Sequence, residues 1–219
     1  MKNILLIGLV SVLLIGCSEN RLLIDELTNK GTEDSPLMYY ESGLFNGVGY
    51  DVFSDGQLRF EKNYKDGEFN GLLKVWYKNG QLKKEVHFTD EVHFKNFGLE
   101  DIDLDTEFSG LYKGWDKNGQ LRYEINYKDG LEDGLYKEWY ENGQLSWEGN
   151  YKNGIEEIGE GWYENGQLQY KGNLKDGKTQ GLWKMYHENG QLKEEIQEYN
   201  YEEISKKCWD QNGKKILCK

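Results

Sequence analysis

The sequence predicts an all-β protein, an elongated antiparallel β-meander built from about seven hairpin repeats of 23–24 residues. Two observations predict this fold. A turn motif, typified by Trp139-Tyr140-Glu141-Asn142-Gly143-Gln144-Leu145, recurs nearly intact around Gly56, Gly80, Gly119, Gly143, Gly166, Gly190 and Gly213. In four repeats a second glycine follows 11 residues after the first. Two turns per unit leave two short strands, and self-similarity at a fixed period indicates repeated supersecondary units.

Charge spacing predicts the strand register. A two-residue type I′ turn at Asn79-Gly80 places Lys74 opposite Glu85. The same geometry predicts three further opposite-charge pairs, Lys113–Glu124, Lys137–Glu148 and Lys184–Glu195. Such pairs contribute roughly 0.2–1 kcal/mol each. The two-residue turn geometry also predicts three cation–π pairs, Trp76–Lys83, Trp115–Arg122 and Tyr186–Lys193. On the other face of the sheet it predicts four apolar pairs, Phe53–Leu58, Tyr77–Leu82, Tyr140–Leu145 and Tyr163–Leu168.

The amino-terminal residues 1–16 are predicted to be a signal peptide. Lys2 precedes an apolar stretch, Ile4 to Ile15, that is too short to span a membrane stably. Leu14-Ile15-Gly16-Cys17 resembles a bacterial lipobox, so we predict lipidation of Cys17 and an exported, membrane-anchored lipoprotein. Ser18 rather than Asp follows, which in such proteins favours the outer membrane if the cell has one. The alternative is an ordinary secretory signal with a chance cysteine.

Domain boundaries follow from the same reading of the chain. Residues 17–37 are expected to be a lipid-anchored tether, because nothing in them forces regular structure and the sole proline, Pro36, marks their end. Residues 38–219 are expected to form one elongated repeat domain, since neighbouring repeats share their buried faces.

The exported chain is strongly acidic. Loss of Lys2 leaves 26 of the 27 basic residues against 39 acidic ones, a net charge of −13. This charge argues against nucleic acid, whose affinity comes from cationic contacts to phosphate, and against surface docking on anionic lipid. It favours a basic partner. Solvation of an extended sheet explains the charge equally well.

One repeat contains an insert at about residues 86–108, because Gly80 and Gly119 are about 15 residues too far apart. Within it, acidic residues alternate with less polar ones and therefore share one strand face: Asp101, Asp103, Asp105 and Glu107. Two interpretations remain, an extra hairpin with a solvated acidic face and a docking face for a basic partner. A calcium loop is disfavoured, since Thr106 and Tyr112 stand where an EF-hand needs Gly and Glu.

The recurring aromatic residues four positions before the turn glycines are the other candidate binding residues: Trp76, Trp115, Trp139, Trp162 and Tyr186. Packing within each repeat accounts for their recurrence. A single-layer sheet, however, cannot bury both faces, so one aromatic row is expected to stay accessible. Exposed aromatic surface marks interaction sites and suits either an elongated protein partner or a glycan.

Catalytic and metal-binding patterns are missing from the sequence. We find no nucleophile elbow, phosphate-cradling loop or zinc spacing, and predict no enzyme activity, catalytic residue, cofactor or metal. His187 occupies the position held by Tyr77, Tyr140 and Tyr163 in sister repeats, so we interpret it as a structural substitute.

Cys208 and Cys218 flank the last turn and are a possible disulfide in an oxidising compartment. With a two-residue turn Cys208 faces Leu217, whereas a one-residue bulge brings it opposite Cys218. Two free thiols are the alternative.

The motif Trp/Tyr-Tyr-x-Asn-Gly-Gln-Leu-Lys, followed by Tyr-Lys-Asp-Gly, resembles the bacterial variant of the MORN repeat over roughly residues 41–219. It is similar in particular to multi-repeat proteins of the toxin–antitoxin antitoxin or immunity type. This resemblance implies a non-catalytic protein-binding scaffold that neutralises a basic, toxin-like protein partner. The alternative is a structural cell-surface lipoprotein that binds cell-wall or exogenous glycan.

Overall fold

A single fifteen-stranded sheet dominates the computed structural model, which describes residues 20–31, 37–89, 109–175, 178–199 and 202–218. The amino-terminal strands are Arg21–Leu23 (β1), Thr28–Asn29 (β2), Met38–Tyr40 (β3), Gly43–Leu44 (β4) and Gly47–Val52 (β5), with a 3-10 turn at Ile24–Glu26. The next strands are Leu58–Lys65 (β6), Glu68–Trp76 (β7), Leu82–Phe88 (β8), Gly110–Trp115 (β9), Leu121–Lys128 (β10), Leu131–Trp139 (β11) and Leu145–Lys152 (β12). The last are Ile155–Trp162 (β13), Leu168–Lys175 (β14), Lys178–Tyr186 (β15), Leu192–Tyr199 (β16), Glu202–Trp209 (β17) and Lys215–Ile216 (β18).

The topology confirms the predicted meander. From β5 to β18 every strand pairs antiparallel with its neighbours in sequence, and seven recurring turns close seven hairpins. At the amino-terminal edge β1 pairs parallel with β5, and β2, β3 and β4 form a separate small sheet. Over the described part of the chain, none of the helical structure is long and apolar enough to cross a membrane.

The predicted two-residue type I′ geometry of the Asn-Gly turn is wrong. The Tyr77 amide bonds the Gln81 carbonyl, and the Gly80 amide bonds the Tyr77 carbonyl at 2.9 Å. Gly80 has φ +83°, whereas Asn79 does not have a positive φ. These contacts define a three-residue loop, a type I turn followed by a left-handed glycine. The Asn79 side chain accepts a hydrogen bond from the Gln81 amide and donates one to the Lys117 carbonyl.

The type I′ turns are instead those at the second glycine of the repeat unit. Asp66, Asp129 and Asn153 have φ between 50° and 51°, and each is followed by a glycine that is also left-handed. Two residues with φ > 0 are what this turn requires. Lys65 accordingly pairs directly with Glu68.

The register is confirmed for the charged pairs and wrong next to the turns. Lys74 pairs with Glu85, and the same holds for the other three predicted pairs, Lys113–Glu124, Lys137–Glu148 and Lys184–Glu195. Their N–O distances run from 3.0 to 3.8 Å. Near the turn, the longer loop is compensated by a bulge, so Trp76 pairs with Leu82 instead of Lys83. Trp115 likewise pairs with Leu121 instead of Arg122, and Tyr186 with Leu192 instead of Lys193.

The same register shift makes the residue pairs predicted for the other face of the sheet wrong as well. Tyr77 bonds Gln81 rather than facing Leu82, and the corresponding predictions for Phe53–Leu58, Tyr140–Leu145 and Tyr163–Leu168 fail in the same way. The tyrosines at this position, and His187, instead hydrogen-bond the next repeat. The Tyr77 hydroxyl donates to the Trp115 carbonyl at 2.8 Å. His187 Nε2 lies 2.9 Å from the Trp209 carbonyl oxygen, which confirms that His187 replaces a structural tyrosine.

The buried core lies at the amino-terminal end of the array. Phe60, Leu73, Val75, Val86 and Phe88 form it, and Ile24 packs against them. Ile24 belongs to the segment expected to be a free tether. Residues 20–29 are therefore folded onto the sheet, because Ile24 and Leu27 cover Gly49 and cap the first hairpins. Terminal capping is what an open repeat array needs.

The insert and the carboxyl terminus differ in detail from expectation. Val86, His87 and Phe88 belong to β8, and β8 pairs directly with β9, so the sheet is continuous across the insert. Cys208 pairs with Ile216, in neither of the two expected registers. The structure nevertheless joins Cys208 and Cys218 in a disulfide, with a Cα–Cα distance of 5.3 Å.

Candidate functional site

The sheet has two faces with different chemistry. The core face carries Leu73 and Val86, and the pairing of adjacent strands extends it through Tyr112, Ile125 and Tyr136. The opposite face, here called the ladder face, carries Lys74, Glu85 and their equivalents in each repeat. Each predicted binding residue that the structure describes can be assigned to one of these faces.

The predicted aromatic row lies on the ladder face, beside the turns. Trp76, Trp115, Trp139, Trp162 and Tyr186 are all half-buried, and each pairs with a leucine across its hairpin. Three of them also accept a hydroxyl hydrogen bond at the backbone from the preceding repeat, at 2.7–2.8 Å. The backbone of the row at Trp115, Trp162 and Tyr186 therefore joins consecutive repeats.

Next to it runs a row of alternating charges. The consecutive members are Glu61, Lys74, Glu85, Lys113, Glu124, Lys137, Glu148, Glu160, Lys171, Lys184, Glu195 and Lys207. Most of these charges face a neighbour of opposite sign, with like charges adjacent only at Glu148–Glu160 and Lys171–Lys184. Paired charges leave the ladder face with little net field toward a charged partner.

Two groups of predicted site residues fall outside the residues that the structure describes. They are the acidic residues of the insert, Asp101, Asp103, Asp105 and Glu107, and the lipidation residue Cys17. Both remain predictions.

The structure brings together an aromatic cluster that the motif analysis missed. We define the aromatic cluster as Tyr136, Trp147, Tyr151, Tyr170 and Trp183, which share the core face on strands β11 to β15. The Tyr136 ring centroid lies 5.0 Å from that of Trp147, nearly perpendicular to it, and 5.7 Å from that of Tyr151. Tyr170 and Trp183 stack at 5.9 Å. All five side chains are half-buried, so their rings remain partly accessible.

Glycines hold this cluster against the sheet. A side chain at Gly149 would overlap the Trp147 ring, one at Gly161 the Tyr170 ring, and one at Gly172 the Trp183 ring. The rings therefore lie flat over bare backbone, as aromatic residues do when they cover strand glycines. The result is a broad aromatic surface beyond the amino-terminal cap.

Two carboxylates belong to the same surface. The Tyr136 hydroxyl donates to Glu138 Oε1 at 2.8 Å. Burial, together with this bond to the Glu138 carboxylate, raises the pKa of Tyr136 far above its usual range, so Tyr136 stays protonated as a donor. Burial also raises the pKa of Tyr151 to about 12, helped by the negative charge of Glu156.

Glu156 is the more unusual carboxylate. It pairs across the strands with Tyr151, and its Oε1 lies over the backbone of Gly159. Burial raises its pKa above the ordinary value of a glutamate. The fold thus favours the protonated form, and the stability that this group contributes is present at low pH and lost as pH rises through its raised pKa. A cation placed beside Glu156 would offset that cost.

The sequence carries a signal for only one of these contacts. Trp147 and Gly149 are two residues apart, and residues two apart on a strand share a face. Tyr170 and Trp183 instead cover Gly161 and Gly172 on neighbouring strands, which no spacing along one strand predicts.

Metal chemistry is not indicated here. The described stretches of the chain contain no group of three or more His, Cys, Asp or Glu side chains arranged to hold a metal ion. The arrangement on the core face provides aromatic rings, hydroxyl donors and two carboxylates. Such a surface can bind, by stacking, hydrogen bonding and attraction of cations.

The fold and this surface define an open, single-layer repeat scaffold. Five stretches match the MORN repeat variant family, at residues 69–90, 108–129, 132–153, 158–176 and 179–201. Over these stretches the hairpins of the sheet are repeats of that family. No curated protein matches the chain significantly.

Proposed function

We propose that this protein is a non-catalytic scaffold that binds a basic protein partner through the aromatic cluster together with Glu138 and Glu156. The single observation that supports it best is the combination on one face of five half-buried rings and the Glu156 carboxylate, whose pKa is raised by burial. Lysine and arginine side chains interact favourably with both kinds of group. The net charge of −12 further attracts a basic partner.

The family supports a repeat scaffold. We further propose that binding neutralises the partner, as in the antitoxin or immunity proteins that the sequence resembles. Lipidation at Cys17 would tether the scaffold at a membrane surface, where an exported partner is met. The insert acids Asp101, Asp103, Asp105 and Glu107 are a second proposed contact for the same basic partner.

A glycan is the alternative ligand. The stacked rings of Tyr170 and Trp183, with an interplanar angle of 28°, form a flat platform of the kind that a sugar ring can cover. This alternative predicts retention on peptidoglycan or polysaccharide and little dependence on salt, because neutral sugars bring no charge.

The carboxylates provide the test between the two. We expect the double variant E138Q/E156Q to bind the partner captured from the producing cell's membrane extract about tenfold or more weakly, because two charge-assisted contacts are lost. Wild-type binding should also weaken with salt, and on acidification through the raised pKa of Glu156, where the carboxylate becomes neutral.

The matched control is E164Q/E188Q, which removes the same charge from exposed turns of the same array. Calorimetric titration of the captured partner against the three proteins is the measurement. Equal affinities for E138Q/E156Q and wild type would contradict the proposal. Capture of polysaccharide alone would contradict the protein-partner proposal and support the glycan alternative.

A further inference from the structure

The carboxyl-terminal edge of the sheet is only partly covered. On its outer side β17 pairs with β18 at Cys208–Ile216 and Trp209–Lys215. Among the described residues, Glu202–Lys207 has no strand partner on that side. The Asp210 amide points outward to Lys214, so the amide of Lys206, an even number of positions away, points outward as well. An edge of this kind is a template for another strand.

Exposed apolar side chains concentrate at the same edge. Tyr199, Ile204 and Leu217 are 60%, 62% and 92% exposed, the three largest values among the large hydrophobic residues that the structure describes. The other exposed large hydrophobic residues, which are spread over the rest of the described chain, are 40% to 47% exposed. Contiguous exposed apolar surface on a soluble fold marks an interaction site.

The charges of β17 are arranged in two halves. Glu202 and Glu203 precede Ile204, and Lys206 and Lys207 follow Ser205. An antiparallel strand of identical sequence, centred between Ile204 and Ser205, would set Glu202 opposite Lys207 and Glu203 opposite Lys206. Opposite charges directly across an antiparallel pair are favourable only if both side chains lie on the same face.

A β-bulge in β17 places each pair of opposite charges on the same face of the strand. Glu198 pairs with Glu203 and Gln197 with Ser205, so Ile204 is an extra residue in β17. Glu202 consequently shares a face with Lys207, since their partners Tyr199 and Glu195 are an even number of residues apart. Glu203 shares the other face with Lys206 for the same reason. Without the bulge these charges would be on opposite faces.

We infer that β17 pairs with β17 of a second copy of this chain, antiparallel, to form a symmetric dimer with one continuous sheet. Lys207, which already bonds Glu195 at 2.8 Å, gains Glu202 of the second copy on its other side. The row of alternating charges on the ladder face thereby gains one further charge, because Glu202 of the second copy pairs within its own sheet with the uncharged Tyr199. The disulfide holds Cys218 against Cys208, which leaves the edge at Glu202–Lys207 open.

Charge reversal tests the pairing on the full chain. Two variants are needed, E202K/E203K and K206E/K207E, with sedimentation used to measure the dimer dissociation constant. We expect the wild type to dimerise and each variant alone to raise that constant at least about tenfold, because every cross-strand pair becomes repulsive. Mixed together, the two variants should form a heterodimer, because an all-basic edge then faces an all-acidic one.

The control is E141K/E164K, which changes charge equally at exposed turns far from β17. Circular dichroism establishes that each variant keeps its sheet. A wild type that stays monomeric at high micromolar concentration would overturn the inference, as would assemblies larger than a dimer. Variants that fold but do not associate on mixing would overturn it too. None of these results bears on E138Q/E156Q, which lies on another surface.

Discussion

Truncation of Leu73 to alanine is expected to lower the free energy of unfolding by about 2–5 kcal/mol, as for other fully buried leucines. Leu73 is 2% exposed and pairs directly with Val86, which is 0% exposed. A one-layer sheet has few such positions. Within the described part of the chain, Leu73 and Val86 are the largest fully buried side chains, and they lie where Ile24 covers the sheet. A cavity here therefore weakens the end from which the array is capped.

Urea denaturation followed by circular dichroism measures this loss. The matched control is Leu182→Ala, since Leu182 is 42% exposed on the ladder face, and its change should stay below about 1 kcal/mol. Hydrogen exchange should show faster opening in β6 to β8 for the Leu73 variant, because repeats are coupled mainly to their neighbours. Equal losses for the two variants would refute the assignment of the core.

Replacement of Gly110 by alanine is expected to destabilise the protein by about 3 kcal/mol or more. Gly110 begins β9 with φ +144°, which a residue with a side chain rarely adopts. Its added Cβ would also overlap the His87 carbonyl oxygen and lie 2.9 Å from the carbonyl carbon. The strand pair β8–β9, which continues the sheet across the insert, would have to separate there.

A Gly56→Ala variant separates the cost of backbone strain from the cost of steric overlap. Gly56 also has a positive φ, +84°, but an added Cβ there meets nothing within 4 Å. It should therefore cost only the backbone strain, about 1–2 kcal/mol. Thermal denaturation of both variants measures the difference. If Gly110→Ala were no worse than Gly56→Ala, the close approach of β8 and β9 would be contradicted.

Much of the fold was predictable, because repetition makes the same local evidence appear several times. The pairs Lys74–Glu85 and Lys184–Glu195 established the register several residues from each turn. The type of turn was not predictable from the Asn-Gly dipeptide alone. Asn79 bonds the carbonyl of Lys117 in the next repeat, and a contact with another repeat is invisible in a local motif.

The candidate site was harder to predict for a related reason. Trp139 recurs with the turn and pairs with Leu145 across its own hairpin, so recurrence follows from the repeat and does not by itself indicate a binding role. Trp147 is not part of the recurring motif, and its position over Gly149 depends on the pairing of three strands. The folding of residues 20–29 was missed as well, since Ile24 finds its partners only once the sheet exists.

The central claim is that the partner binds the core face and not the ladder face. Trp147→Ala and Trp139→Ala test it most directly, because these tryptophans lie on adjacent strands and opposite faces. Titration of the captured partner should show a loss of about 2 kcal/mol or more for Trp147→Ala, the size of an aromatic hot spot, and near-wild-type affinity for Trp139→Ala. The reverse pattern would contradict the account and return the binding role to the aromatic row of the ladder face.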